Sequence, residues 1–309
     1  MKRSRSFLLL LALAAVIGGY VWFVEMPRDD AAPVTPAEKL FTVEATAIQG
    51  VTLKNEAGEQ STLRKSGDHW TLEEAAGADV DPTEAGNITS AIAALESQRV
   101  VDEQPASLAE FGLDAPRVTV SFSDAAGAPH TLLVGNKTPT GGDLYAKLDA
   151  APRVFLIGAW LEETFNRSRF DLRDKAVAKF ARDAVTTVTI TSTSGTVALA
   201  QSGGEWRLTA PVDAPADSAA ADAIVNAVSS ARMQGIVDAP NPATMGLARP
   251  AVSIAITAGP TRSVLEIGGP AEAGTRYARD TVRDLVFTVE DTLVAELTKT
   301  AADLRKKDQ

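Results

Sequence analysis

The sequence predicts an α+β fold: a tandem duplication of two similar domains, each a mainly antiparallel sheet with one principal helix, after an N-terminal transmembrane helix. Three observations predict it. The segment that begins at Phe111 (FGLDAPRVTV) returns at Met245 (MGLARPAVSI), strand-like segments flank one helical segment in each copy, and a charge-free apolar run lies near the start of the chain. An internal repeat fixes the architecture, because both copies must form the same unit.

Length and composition fit two globular domains. The 309 residues correspond to about two domains of roughly 150 residues each. Hydrophobic residues make up 45% and charged residues 23%, which is ordinary for a folded protein. The formal net charge of -10 disfavours nucleic acid as a partner. The sequence has no cysteine, which excludes disulfides, thiolate metal sites and a cysteine nucleophile.

The N-terminal run has the pattern of a membrane anchor. Residues 7–24 carry no charge, and as a helix they span roughly 27 Å, close to the ~30 Å hydrocarbon layer. Basic residues precede the run, so we expect the N-terminus in the cytoplasm and the rest of the chain on the outer side of the membrane. A cleaved signal peptide is the alternative, although its best cleavage site lies inside the run. The assigned anchor residues are Phe7, Leu10, Val16, Tyr20, Trp22 and Val24.

The predicted organisation follows from the register of the repeat. Trp70 matches Trp206 at an offset of 136, and Tyr145 matches Tyr277 at an offset of 132, as expected if short deletions fell in loops. The predicted segments are a cytoplasmic basic N-terminus (1–6), a transmembrane signal-anchor (7–24), a Pro- and Ala-rich tether (25–43), a first α+β repeat (44–178) and a second α+β repeat (179–309).

Each copy has the same predicted order of elements. Three Val-, Thr- and Leu-rich strands come first, at residues 47–54, 60–65 and 69–73 and again at 186–191, 196–201 and 205–209.

Trp70 and Trp206 each lie where a strand would cover the following helix, so we interpret both as core residues. An aspartate eleven residues after each tryptophan, Asp81 or Asp217, then caps the principal helix. Alternating apolar residues from Val118 and from Val252 predict half-buried strands, hairpins follow, and a short helix closes the unit.

Catalytic and metal-binding motifs are missing from the sequence. No nucleophile elbow, zincin motif or Walker-type loop occurs. The two histidines, His69 and His130, are isolated and are interpreted as surface or edge-strand residues. Gly141–Gly142 and Gly268–Gly269 are interpreted as turn glycines. We therefore expect no enzymatic activity, no catalytic residue, no metal and no cofactor.

Polar and aromatic residues that recur in both copies form a candidate interface. An Asp-Leu-Arg sequence ends each copy, and it either pairs Asp with Arg at a domain junction or presents Arg to a partner. Each tyrosine lies in a predicted hairpin, where cross-strand packing is the alternative to binding. The candidate residues are Tyr145, Asp171, Arg173, Tyr277, Asp303 and Arg305.

These motifs resemble the bacterial DUF4340 family, from about residue 40 to the C-terminus. The residues that carry the resemblance are Trp70, Asp81, Phe111–Pro116, Val134–Gly135, Tyr145–Ala146, Val154–Phe155 and Asp171–Arg173. The resemblance implies a membrane-anchored envelope protein whose gene lies near those of an ABC-type exporter permease and a gliding-motility-type auxiliary protein. It supplies no catalytic residues.

Three classes of function follow. The leading hypothesis is a non-enzymatic accessory or scaffold subunit of an ABC-type export or gliding-motility-like complex. The alternative is a periplasmic binding module for a cell-envelope glycan or small ligand, held in a groove between the two domains. The third is an envelope hydrolase whose site is assembled from distant carboxylates.

Overall fold

The computed structural model describes residues 38–75, 78–124, 127–272 and 274–306. The predicted anchor, with Phe7, Leu10, Val16, Tyr20, Trp22 and Val24, lies outside the described residues, as does most of the tether. Within the described part of the chain, no helix is long and apolar enough to cross a membrane.

Eleven strands lie among the described residues from 38 to 178. They are β1 (Glu38–Lys39), β2 (Ile48–Lys54), β3 (Gln60–Ser66), β4 (His69–Leu72), β5 (Ala78–Asp79), β6 (Glu96–Ser97), β7 (Arg99–Asp102), β8 (Val118–Asp124), β9 (Pro129–Lys137), β10 (Asp143–Leu148) and β11 (Val154–Gly158). Strands β1 and β6 form a small separate sheet. The other nine form one sheet in the order β5-β4-β3-β2-β8-β9-β10-β11-β7.

The second repeat contains nine strands. They are β12 (Val185–Ser192), β13 (Gly195–Ser202), β14 (Glu205–Ala210), β15 (Ala214–Pro215), β16 (Gly235–Ile236), β17 (Val252–Ala258), β18 (Thr261–Pro270), β19 (Thr275–Asp280) and β20 (Leu285–Glu290). Their order in the sheet, β15-β14-β13-β12-β17-β18-β19-β20-β16, matches that of the first sheet position by position. The mainly antiparallel, duplicated fold predicted from the sequence is therefore confirmed.

One principal helix accompanies each sheet, as predicted. Helix α1 (Pro82–Ala93) begins after Asp81, and α4 (Ser218–Ser230) begins after Asp217. Both aspartates cap as expected, since Asp81 accepts from the Thr83 N–H at 2.8 Å and Asp217 from the Ala220 N–H at 3.1 Å. The short helices are α2 (Leu161–Phe165), α3 (Arg169–Leu172), α5 (Thr292–Leu297) and α6 (Ala301–Leu304).

Alternation along the strands builds the core. In β17, Val252, Ile254 and Ile256 are buried, while Ser253 and Ala255 between them are partly exposed. Ile224 and Val228 of α4 join this core, and Ile88 and Ile92 are the buried residues at the matching positions of α1. The periodicity in the sequence therefore identified the buried face of each element.

The two tryptophans differ in burial. Trp206 is buried, and its indole N–H donates to Asp222 at 2.9 Å. Trp70 is only partly buried and lies beneath the Lys65 ammonium. The interpretation of both as core residues is therefore correct for Trp206 and must be revised for Trp70.

The described chain forms two compact units. One contains the described residues up to Gln60 together with Gly86–Asn166, and the other contains Ser61–Ala85 and the described residues from Arg167 onward. The pocket considered next belongs entirely to the second unit.

Candidate pocket in the second compact unit

A pocket of ≈ 670 Å³ lies within the second compact unit. Its wall carries three cationic side chains, Arg173, Lys179 and Arg283, and a larger set of carboxylates, Glu74, Asp79, Asp174, Asp238 and Asp284. Met233, Ile236 and Leu285 are among the apolar residues that line it. A concave site with apolar walls and a few polar groups is the usual form of a small-molecule site.

One wall is the segment that follows β4. A 3₁₀ turn at Glu73–Ala75 leads into β5, which pairs with β4 through Thr71 and Asp79. Glu74 accepts a hydrogen bond from the Thr62 N–H at 2.8 Å, so its carboxylate is fixed to the neighbouring strand β3. Burial acts to raise the pKa of Glu74, but the Thr62 hydrogen bonds outweigh it and hold the pKa below its ordinary value.

A second wall begins where α3 ends. Ser168 and Asp171 form a reciprocal capping box at the start of α3. The chain then becomes extended at Arg173, whose backbone pairs with Val80, and the Asp174 N–H donates to the Asp79 carbonyl at 3.0 Å. These backbone contacts hold residues 173–174 at the edge of the pocket.

Lys179 forms ion pairs with two carboxylates of the pocket wall. Its ammonium donates to Asp79 at 2.6 Å and to Asp174 at 2.8 Å. Burial acts to lower the pKa of Lys179, but the hydrogen bonds to the two carboxylates outweigh it and raise the pKa above its ordinary value. Burial likewise acts to raise the pKa of Asp174, and the Lys179 partner holds it below its ordinary value instead.

Arg283 closes the turn between β19 and β20. Its guanidinium bonds Asp280 at 2.5 Å and donates to the carbonyl oxygens of Ala176 and Val177 at 2.9 and 2.8 Å. Asp280 is buried, and it also accepts from the N–H groups of residues 282 and 283. These contacts of Arg283 therefore hold its own turn against the chain at residues 176–177.

Arg173 differs from Lys179 and Arg283 because, among the described residues, its side chain forms no salt bridge. The one hydrogen bond from its side chain to a described residue runs from Nη2 to the Ala75 carbonyl at 3.5 Å, at the outer limit of such bonds. Its Nε is buried without a hydrogen-bond partner. Burial lowers the pKa of Arg173, and nearby Arg169 lowers it further while Asp238 opposes the change. Arg173 is thus a half-buried cation with donor capacity to spare.

The six predicted interface residues have different surroundings in the structure. Of the six, only Arg173 lines the pocket. Asp171 and Asp303 are the acidic members of capping boxes, and Asp171 pairs with Lys175 at 3.5 Å rather than with Arg173. An Asp–Arg pair, one of the two interpretations of the repeated sequence, is therefore wrong for Asp171, which caps a helix.

The remaining predicted residues have packing or backbone contacts. Tyr145 packs on Phe111, with ring centroids 5.1 Å apart, and Tyr277 lies opposite Thr288 in the sheet. Arg305 pairs through its backbone with Ala216 and is exposed.

The isolated histidines and the glycine pairs occupy ordinary structural positions. His69 is exposed in β4, and His130 stacks on Phe122 with centroids 4.9 Å apart. Gly141 forms a turn with φ +77°, but Gly268 lies inside β18, where a side chain would overlap the Met245 carbonyl. The second glycine pair is therefore not a turn. Among the described residues, no group of His, Asp and Glu has the arrangement of a metal site.

Most of the pocket was not identified from the sequence. Lys179, Arg283 and Asp284 carry no motif, and they meet the 74–79 segment only through the fold. Asp238 did leave a signal in the sequence, because Val237–Asp238 repeats Val101–Asp102 at an offset of 136. That match indicates the register of the two copies and does not point to a pocket.

Comparison with known proteins gives one result. A family model described as "Domain of unknown function (DUF4340)" matches residues 70–250 and 206–309. The two matches begin at Trp70 and Trp206, the equivalent residues of the two repeats. No curated protein and no solved structure matches the chain.

Proposed function

The chain belongs to the DUF4340 family, and on that premise we propose that it is a non-enzymatic accessory or scaffold subunit of an ABC-type export or gliding-motility-like complex. In this proposal the predicted helix at residues 7–24 anchors the chain in the bacterial inner membrane, with the body in the periplasm. The partners are the membrane and an ABC-type permease or auxiliary envelope protein.

The observation that supports this proposal is the repetition of the sheet. The same order of nine strands occurs twice in one chain, so the protein carries two similarly folded sheets. Two linked surfaces raise the effective concentration at the second contact once the first has formed. A duplicated body of this kind is suited to holding parts of an assembly together.

Recovery of a membrane partner tests the scaffold. The full chain is purified in mild detergent from its native envelope and compared with an unrelated single-span protein of similar abundance. We expect specific enrichment of a permease or auxiliary envelope protein. Failure to enrich any membrane partner, together with normal export in a deletion strain, overturns the proposal.

Topology can be tested separately because the native sequence has no cysteine. A cysteine introduced at Val282, which is 63% exposed, is a unique site for a membrane-impermeant maleimide. We expect it to be labelled in cells with a permeabilised outer membrane, whereas a cysteine at Ser4 is labelled only after lysis. The reverse pattern would place the body in the cytoplasm.

The pocket supports a second candidate function, a periplasmic binding module for a small ligand or envelope glycan. Its volume and mixed polar and apolar lining fit a small molecule. Native mass spectrometry of the full chain released from envelope extract tests this candidate. We expect a bound mass that is lost when Val237, which lines the pocket, is replaced by Trp; retention of the same mass would place the ligand elsewhere.

A further inference from the structure

The three cations of the pocket wall differ in whether a carboxylate of the protein already binds them. Lys179 lies between two carboxylates, and Arg283 is occupied by Asp280 and two backbone carbonyls. Arg173 forms no salt bridge with a carboxylate among the residues that the structure describes, and it has only the long bond to Ala75. Among the described residues, Arg173 is therefore the one cation of the pocket wall whose charge is not already paired with a carboxylate.

The state of Arg173 favours an acceptor with two oxygens. A guanidinium has five N–H donors in a planar fork, and a buried donor without a partner is unfavourable. The buried Nε of Arg173 is such a donor. A carboxylate offers two oxygens in the geometry that this fork matches, so its binding would satisfy several donors at once.

The charge around Arg173 restricts the ligand to a single negative charge. Five carboxylates line the pocket against three cations, two of which are already engaged. A second negative charge on the ligand would face Glu74, Asp238 or Asp284 without a cation to match it. This arrangement disfavours phosphate dianions and favours a monocarboxylate.

Part of the lining is apolar. Met233 is buried, Ile236 and Leu285 are partly buried against the core of the same unit, and Val286 is also buried. These side chains offer a surface for the body of a ligand, whose burial contributes to affinity in proportion to the apolar area removed from water.

The second repeat supplies an internal comparison. Arg305 ends the second Asp-Leu-Arg sequence, and its backbone pairs with Ala216 as that of Arg173 pairs with Val80. Arg305 is nevertheless exposed and lines no pocket described in the structure. The backbone role is thus shared by both copies, while the half-buried side chain belongs to the first copy alone.

From these contacts we propose that the pocket binds a small monocarboxylate with an aliphatic body, its carboxylate received by Arg173 and its body packed on Met233, Ile236 and Leu285. The proposal rests on the binding function proposed above for this pocket. Arg173 is a binding residue in it, and no bond is made or broken.

N-acetyl-leucine and N-acetyl-leucinamide test the proposal, because they differ only in the carboxylate. Binding to the full chain in detergent is measured by titration calorimetry, with inorganic phosphate as the dianion. We expect the acid to bind at millimolar concentration, and the amide and phosphate to bind at least about tenfold more weakly, the loss that corresponds to one charge-assisted contact.

Three variants separate the possible failures. Arg173→Gln is expected to weaken binding of the acid about tenfold, whereas Arg305→Gln leaves it unchanged and serves as the matched control. Val237→Trp, which fills the pocket but keeps Arg173, should weaken acid and amide alike. Unfolding midpoints identify any variant that does not fold.

Each outcome bears on a different statement. Equal affinity for acid and amide, or an unchanged affinity in Arg173→Gln, overturns the carboxylate proposal; if Val237→Trp still abolishes binding, the binding module itself survives. Absence of binding to the native chain at millimolar acid overturns the carboxylate proposal, and the mass-spectrometric experiment then decides separately on the binding module.

Discussion

Gly135 lies directly against the backbone of Phe111: a Cβ built on Gly135 would overlap the Phe111 carbonyl oxygen. Gly268 has the same relation to Met245 in the second repeat. A Gly-Leu-x-x-Pro box follows Phe111 at residues 112–116 and Met245 at residues 246–250. Each contact therefore joins the start of this box to a central strand, β9 or β18. The turn glycine of each box, Gly112 or Gly246, has a positive φ of 66° or 71°. The repeated motif therefore records a close approach of two backbones.

Replacing Gly135 with Ala should destabilise the protein. The atoms that the new methyl group would meet belong to the backbone of residues 111–112 and cannot rotate away. Overpacking of this kind costs about 1–3 kcal/mol. Urea unfolding measures the loss, and Gly268→Ala should show a loss of similar size. An unchanged midpoint for either variant would show that the turn can move away.

Gly86→Ala is the matched control, with an effect of opposite sign. Gly86 is exposed within α1, and a Cβ there meets nothing within 4 Å. Alanine in a helix is more favourable than glycine by about 0.5–1 kcal/mol. We therefore expect Gly86→Ala to raise the midpoint of unfolding.

The sequence predicted the elements of the fold better than their contacts. Strand alternation and the Asp81 and Asp217 caps depend on neighbours along the chain, so they could be inferred locally. The strand position of Gly268 could not, because the reason for a glycine there is the carbonyl of a residue 23 positions earlier, Met245. The partial exposure of Trp70 could not be inferred locally either, because burial depends on which distant residues the fold places beside it.

The buried Trp206 depends on one exposed partner. Asp222, on the first turns of α4, accepts the indole N–H at 2.9 Å. Asp222→Ala leaves that donor without its acceptor and should cost about 1–3 kcal/mol, whereas Asp222→Asn keeps an acceptor and should cost less. Urea unfolding distinguishes the two. Equal losses would mean that helix packing, and not the hydrogen bond, determines the effect.

Glu162 should make stability depend on pH. It lies 2.7 Å from the Arg117 guanidinium and 2.5 Å from the Lys137 ammonium, and its side chain is 16% exposed. Burial acts to raise the pKa of Glu162, but the hydrogen bonds from Lys137 and Arg117 outweigh it and hold the pKa below its ordinary value. The native state therefore favours the charged carboxylate.

The sign of the effect follows from that lowered pKa. The stabilisation is complete above the pKa of about 4.3 that Glu has when unfolded, and it is lost as the pH falls through the lower native value. Glu162→Gln should cost about 0.5–1 kcal/mol at neutral pH and almost nothing near pH 2. Glu163→Gln, an exposed neighbour in α2, is the control. An equal loss at both pH values would contradict the prediction.

The candidate site illustrates the limit of local inference. The repeated Asp-Leu-Arg drew attention to Arg173, but it also selected Asp171, whose position is explained by the capping box with Ser168. A repeat identifies what both copies need for folding. The pocket depends on residues that are far apart in the chain and that the copies do not share, such as Lys179 and Arg283.

Arg283 should be the most important cation for the stability of the pocket wall. Asp280 is 3% exposed, and Arg283 is its only salt-bridge partner among the described residues. Arg283→Met would leave this carboxylate in place with its backbone donors alone and would also remove the bonds to residues 176 and 177. Because Arg283 is 26% exposed, water can replace part of the contact, and we expect a loss of about 2–3 kcal/mol.

A double-mutant cycle with Asp280→Asn tests whether that loss comes from the pair. If it does, the double variant should be more stable than the sum of the two single losses predicts, since the second substitution removes the charge that the first leaves unpaired. Arg262→Met, at an exposed arginine of β18, should change the midpoint little and controls for the loss of a cation. Additive losses would show that the bonds to residues 176 and 177, and not the ion pair, hold the turn in place.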